Sequence, residues 1–113
     1  MKQQGEDDQG KITEKREFER NKVSVPARYR SGSEDDHQGL VRDISFGGMF
    51  MESQFRHNAG DHIQADLNIE EYGKIAWAHG NVVRTTEKGI GVRFTHYDVN
   101  GVDDIIHLHR KNI

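Results

Sequence analysis

The chain has no cysteine, one proline, one tryptophan and an apolar fraction of only 33% over 113 residues. Without cysteine there are no disulfides, no thiolate metal ligands and no cysteine nucleophile, a composition suited to a reducing compartment. No stretch reaches the apolar length of about 20 residues that a membrane helix needs. The opening Met1-Lys2-Gln3-Gln4-Gly5 lacks the apolar run of a signal peptide. These absences predict a cytoplasmic protein with no membrane insertion. Recognisable catalytic groupings are missing too: there is no Ser-His or Cys-His nucleophile pair, no Walker loop and no carboxylate dyad. The expectation is a protein that is not an enzyme and carries no cofactor. Its length allows one compact domain with an economical core.

An excess of positive charge is also lacking. The net charge is −3, which argues against general nucleic-acid binding, where a basic stripe dominates affinity. The charge is unevenly spread, however. Residues 11 to 30 carry seven cations (Lys11, Lys15, Arg16, Arg20, Lys22, Arg28, Arg30) against three anions (Glu14, Glu17, Glu19). Acidic stretches, Glu6-Asp7-Asp8 and Glu34-Asp35-Asp36, flank this segment. Such a pattern draws small anions and discourages long polyanions. A small barrel binding single-stranded nucleic acid through this segment and its aromatics would show affinity that falls steeply with salt, and the acidic net charge counts against it.

Residues 1–14 show no apolar periodicity and read as a disordered arm, with residues 15–113 forming the domain. From Val23 the period is two. Val23, Val25, Ala27 and Tyr29 alternate with polar residues, and Pro26 on the outward set suggests an edge strand. Gly39 to Ile44 and Gly48 to Ser53 read as a hairpin around Ser45-Phe46-Gly47-Gly48. Ile63, Ala65, Leu67 and Ile69 alternate after the turn at Asn58-Ala59-Gly60-Asp61, and the chain turns again over Glu70 to Gly73. A long strand covers Lys74 to Arg84, with Ile75 and Trp77 on one face and a bulge at Gly80. Ile90, Val92 and Phe94 mark the last strand. Only then does the period become helical, with Asn100 as the expected N-cap and Val102, Ile105, Ile106 and His109 on one face. The pattern predicts a mainly β fold, a small antiparallel barrel plugged by a C-terminal helix.

Two short motifs fall at the ends of predicted strands. Arg16 and Arg20 stand four apart before the first, and Asp43-x-Ser45-x-x-Gly48 closes the second. An arginine fork matches O6 and N7 of guanine, pairs with phosphate oxygens and stacks on bases. A carboxylate such as Asp43 accepts from guanine N1–H and its exocyclic amine. Ser45 can bond a base edge or a phosphate, or hold the turn. Gly47-Gly48 permits positive φ and lets backbone N–H groups approach a ligand.

With Arg16-Glu17-Phe18-Glu19-Arg20 and Asp43-Ile44-Ser45-Phe46-Gly47-Gly48, the chain resembles the PilZ domain, a bacterial receptor for cyclic di-GMP. Gly80-Asn81-Val82-Val83-Arg84 and Gly89-Ile90-Gly91-Val92-Arg93-Phe94 are similar to that family's closing strands. The resemblance covers roughly residues 14–110 and implies a six-stranded antiparallel barrel with cyclic di-GMP at its surface. It implies Arg16 and Arg20 on guanine and phosphate, Asp43 and Ser45 on a guanine edge, and Gly48 shaping the turn, with Lys15 and Gly47 as neighbours. Lys15 precedes the first arginine, where the family sets one or two ligands per chain, and leaves that number open. Ligand binding would clamp the arm onto the barrel and present a surface to a downstream partner protein, the chain itself being a monomer or weak homodimer. The alternative is a PilZ-like protein-interaction module that does not bind nucleotide.

Plainer readings exist for each feature. Arg16 and Arg20 fit one exposed helical turn beside Glu17 and Glu19, and Asp43 and Ser45 fit ordinary turn residues. Among the seven histidines, His107 and His109 come nearest a metal pair, but residues two apart on a helix face different ways. Trp77 reads as core or barrel rim, and Met49, Phe50 and Met51 as packing and barrel wall.

Overall fold

The computed structural model describes residues 19–32 and 35–111. Six strands form a closed antiparallel barrel: β1 (Asn21–Ser31), β2 (His37–Ile44), β3 (Gly48–Ser53), β4 (His62–Ile69), β5 (Lys74–Thr85) and β6 (Gly89–Tyr97), ordered β1-β2-β3-β6-β5-β4 around the wall. A 3-10 turn over Glu70–Tyr72 joins β4 to β5, and helix α1 (Val99–Lys111) follows β6. The expected arm over residues 1–14, together with Lys15 and Arg16, lies outside the described residues.

Strand alternation builds the core directly. Val23, Val25, Ala27 and Tyr29 of β1 and Ile63, Ala65, Leu67 and Ile69 of β4 all point inward and are buried. Closure changes the meaning of Pro26. It faces outward as expected, but β1 is no edge: it pairs with β2 on one side and β4 on the other. Pro26 sits opposite Leu40, one residue beyond the end of the β1–β4 ladder at Ala27. The bulge at Gly80 is present, as a register shift between His79 and Gly80 against β6. On β5 the inward side is Ala76 and Ala78. Ile75 and Trp77 form the outer face and Trp77 is 42% exposed, with its ring against His79 at 5.2 Å, so the tryptophan is not core.

Helix α1 packs Val102, Ile105 and Ile106 onto β1 and β5. Its N-cap is Asp98 rather than Asn100. The Gly101 N–H donates to Asp98 Oδ1 at 3.0 Å and the Val102 N–H to the Asp98 carbonyl at 2.9 Å. The helix begins two residues earlier than Asn100 would allow because Asp98, next to the last strand, can offer both its oxygens. Gly101 is needed for a second reason: a Cβ there would lie 2.4 Å from Ala76 Cβ. Lys74 Nζ reaches Asp104 at 2.5 Å and ties β5 to the helix.

At the end of the barrel remote from residues 43–48, Tyr29 is almost wholly buried. Its hydroxyl bonds Ser53 Oγ and lies 2.8 Å from His57 Nε2. A cleft of about 1320 Å³ opens at this end, lined by His37, Ser53, Phe55, His57, Thr86 and Lys88 among others.

Candidate functional site

The hairpin turn from Ile44 to Gly48 is held from within. Ser45 N–H donates to the Gly48 carbonyl at 2.9 Å, and Gly47 N–H donates to Ser45 Oγ at 3.1 Å. Ser45 is 1% exposed, so its hydroxyl organises the turn in this state. The glycines serve by being small rather than by their torsion. Positive φ occurs at Gly32, Gly60 and Gly73, so the left-handed backbone expected at Gly47-Gly48 is not what the turn uses. A Cβ on Gly48 would instead stand 2.3 Å from the Val92 carbonyl oxygen. β6 closes tightly over β3 here: Gly48 pairs with Arg93, and Phe94 N–H donates to the Gly47 carbonyl at 2.9 Å.

Asp43 stands on the outer wall beside this turn, partly exposed. Arg20, more than twenty residues earlier, comes to it. Its Nη2 lies 2.7 Å and its Nε 3.0 Å from the same carboxylate oxygen, Asp43 Oδ1. The fork therefore converges on one oxygen, and none of these bonds uses Oδ2. Both groups face water, with side-chain exposures of 52% and 29%, so the pair is worth about 0–1 kcal/mol to stability. Arg16 and Lys15 fall outside the described residues.

The sequence reading missed three neighbours. Asn21 donates its side-chain amide to the Glu19 carbonyl at 3.1 Å and to the Ile44 carbonyl at 3.3 Å. These bonds pin the start of β1 across the end of β2 and set Arg20 over Asp43. Lys22 pairs with Asp43 in the β1–β2 ladder, and Arg93 pairs with Gly48 in the β3–β6 ladder. Both are exposed cations. Only the cross-strand register brings them beside the turn, so no linear spacing announces them.

This surface offers a small planar anion two cations beside one carboxylate, Arg20 and Lys22 at Asp43, with Arg93 across the tight turn at Gly48. Among the described residues no group of three or more His, Asp or Glu is arranged to hold a metal ion. His107 and His109 each set Nδ1 on the carbonyl four residues back in α1. Nor is any helix among them long and apolar enough to cross a membrane.

A closed six-stranded antiparallel barrel followed by a C-terminal helix defines the class of small β-barrel domains to which this fold belongs. The sequence profile of the PilZ domain matches residues 14–110, and the chain belongs to that family. Two solved structures share the fold. One is the inhibitor of motility MotI/DgrA of Bacillus subtilis, at TM-score 0.70 and 13% identity over 84% of this chain and 49% of that one. The other is the PilZ domain of CeSA from a cellulose-synthesizing bacterium, at TM-score 0.61 and 12% identity over 82% and 96% respectively. The chain thus spans about half the length of MotI/DgrA. None of the curated proteins matches the sequence.

Proposed function

We propose that the protein is a cyclic di-GMP receptor that reads guanine between Arg20 and Asp43 and passes the signal to a protein partner. The observation that carries this reading is the direct meeting of the two motif halves, with the Arg20 fork on one oxygen of Asp43. Without ligand the charges satisfy each other. A guanine inserted between them offers O6 and N7 to the guanidinium and N1–H and the amine to the carboxylate, so both groups exchange a water-screened ion pair for directed bonds. Arg16, preceded in the sequence by Lys15, would join from the segment before β1 and grip phosphate or guanine. Gly47 and Gly48 keep the approach open, and Ser45 holds the turn that presents Asp43. Ordering the arm over the barrel costs chain entropy that these charged bonds offset, and the reordered surface is what a partner would recognise. That one barrel neighbour is named an inhibitor of motility fits a relay acting through another protein.

A thermal-shift series tests this reading. At a ligand concentration 100 times Kd, binding stabilises the fold by about 2.7 kcal/mol, a rise of several degrees in Tm. Cyclic di-GMP should produce that rise and cyclic di-AMP should not. Arg20→Ala should melt as wild type without ligand and lose the response. An equal response in Arg20→Ala would refute the assignment. No response in the wild type would favour the module that interacts with proteins and does not bind nucleotide.

A further inference from the structure

Six large apolar side chains are exposed among the described residues, and four of them gather in one region: Tyr72, Ile75, Trp77 and Val99, each 42–59% exposed. Ile75 and Trp77 stand two apart on the outer face of β5. Tyr72 ends the turn that leads into that strand, one glycine before it. Val99 opens α1, and the residue before it is tied to the tryptophan, because the Asp98 N–H donates to the Trp77 carbonyl at 3.0 Å. Interior packing gives none of the four a role. The inward positions of β5 belong to Ala76 and Ala78, and α1 meets the barrel through Val102, Ile105 and Ile106. Single exposed apolar residues are ordinary, whereas a gathered group marks a binding surface. This one is separate from the turn at residues 44–48. In the ring order of the six strands, β5 stands across the barrel from β2, which carries Asp43.

The rim of the patch is acidic. Asp66 lies opposite Trp77 in the β4–β5 ladder, and Glu70 and Glu71 precede Tyr72 in the turn. All three are exposed, and among the described residues none of them makes an ion pair. The cations at the border have acidic partners of their own: Lys74 binds Asp104 at 2.5 Å, and Arg28, on the other side of Asp66, turns to Asp36 at 3.8 Å. Free anions around an apolar centre fit a partner that carries cations around an apolar stripe. They oppose the other occupants. A second copy of this chain would set the same acids against each other, and the net charge of −3 adds to the repulsion. An anionic lipid surface or a nucleic acid is repelled in the same way. The closed barrel also offers no edge for an added strand, so the partner binds through side chains rather than backbone.

We propose that this face of β5 docks a cationic amphipathic helix of another protein. The helix lays its apolar stripe on Trp77 and Ile75, with Tyr72 and Val99 beside them, and its lysines or arginines meet Asp66, Glu70 and Glu71. Trp77 is the anchor, since buried aromatic side chains carry most of the affinity in such contacts. The flanking charges set orientation and partner choice. The surface stands on its own observations whether or not the opposite wall holds a nucleotide, and it gives the partner of the receptor reading a place to bind.

Trp77 is the chain's single tryptophan, so its emission reports on the site directly. The probes are two synthetic helical peptides with the same leucine stripe, one flanked by lysines and the other by glutamates. Each is titrated into the full chain unlabelled, read by tryptophan emission, and fluorescein-labelled, read by anisotropy. The lysine peptide should bind saturably and shift the emission to the blue, and the glutamate peptide should do neither. By anisotropy, Trp77→Ala and Ile75→Ser should each weaken the lysine peptide by about tenfold, the scale of an interface anchor. Glu71→Lys should weaken it by about threefold, the scale of an exposed ion pair. Phe55→Ala and Glu87→Lys alter an exposed aromatic and an exposed acid in the cleft at the other end of the barrel, and both should bind as wild type. Equal binding of the two peptides, an equal loss in the control variants, or no uptake of the lysine peptide would overturn the proposal. So would sedimentation showing a wild-type dimer that Trp77→Ala converts to monomer, which would make this face a contact between copies. If Trp77→Ala does not fold, Ile75→Ser and Glu71→Lys decide, because both side chains are exposed. No readout here involves nucleotide, so failure of this surface and failure of the receptor reading are separate results.

Discussion

Replacing Gly48 with alanine should cost more than any surface change in the protein, and the structure fixes the reason. The added Cβ would lie 2.3 Å from the Val92 carbonyl oxygen and 3.3 Å from the carbonyl carbon. Neither atom belongs to a side chain that can rotate away. Restoring ordinary contact requires β3 and β6 to part by about 1 Å, a shift of the kind that overpacked cores resist at about 1–3 kcal/mol. The same parting stretches the Phe94 N–H bond to the Gly47 carbonyl, now 2.9 Å, and one weakened backbone bond adds about 1 kcal/mol. The total is about 2–4 kcal/mol, a fall in Tm of about 10 °C or more for a domain of this size. Urea unfolding followed by circular dichroism reads this as a lower midpoint at unchanged slope. Gly91→Ala is the internal comparison, since its Cβ would meet nothing nearer than the Arg84 side chain at 3.5 Å, an ordinary van der Waals distance. Equal midpoints for the two variants would refute the close-approach argument and return Gly48 to a role in turn torsion.

Other perturbations should separate in the same way. Tyr29→Phe removes the hydroxyl that bonds Ser53 and His57, leaving His57 buried without that partner; a loss of about 1–3 kcal/mol in chemical unfolding is expected. Asp98→Ala should cost about 1 kcal/mol as a lost N-cap, and Asn100→Ala close to nothing, measured by the same method. The bond to Asp104 raises the pKa of Lys74 above its ordinary 10.5. Any stability this pair gives is therefore fully present below about pH 10 and fades as pH rises through the folded value. The melting difference between wild type and Lys74→Met should accordingly shrink at alkaline pH.

Where the chain alternates regularly, the sequence displayed the fold. Val23 to Tyr29 and Ile63 to Ile69 bury the residues that period two selects, and Gly80 marked its bulge because a strand interior otherwise avoids glycine. What escaped reading is set by distant register. Pro26 looked like an edge residue because only the β1–β4 ladder, closing the barrel, removes the edge. Asp43 and Arg84 owe their outward positions to bulges at Arg42–Asp43 and Val83–Arg84, and one extra residue in a strand leaves no compositional trace. Trp77 reads as core or barrel rim, and the structure rules out the core because Ala76 and Ala78 take the inward positions of β5 and leave the tryptophan on the outer face. The candidate site was legible as two motifs. Their meeting at Arg20 and Asp43, and the Asn21 bonds that enforce it, required the fold.

Isothermal titration of cyclic di-GMP into the purified protein, beside the Arg16→Ala/Arg20→Ala double variant, tests the central claim most directly. The account predicts saturable heat in the wild type that vanishes in the variant, with a stoichiometry giving one or two ligands per chain. Absence of heat in the wild type, or an unchanged isotherm in the double variant, would contradict it.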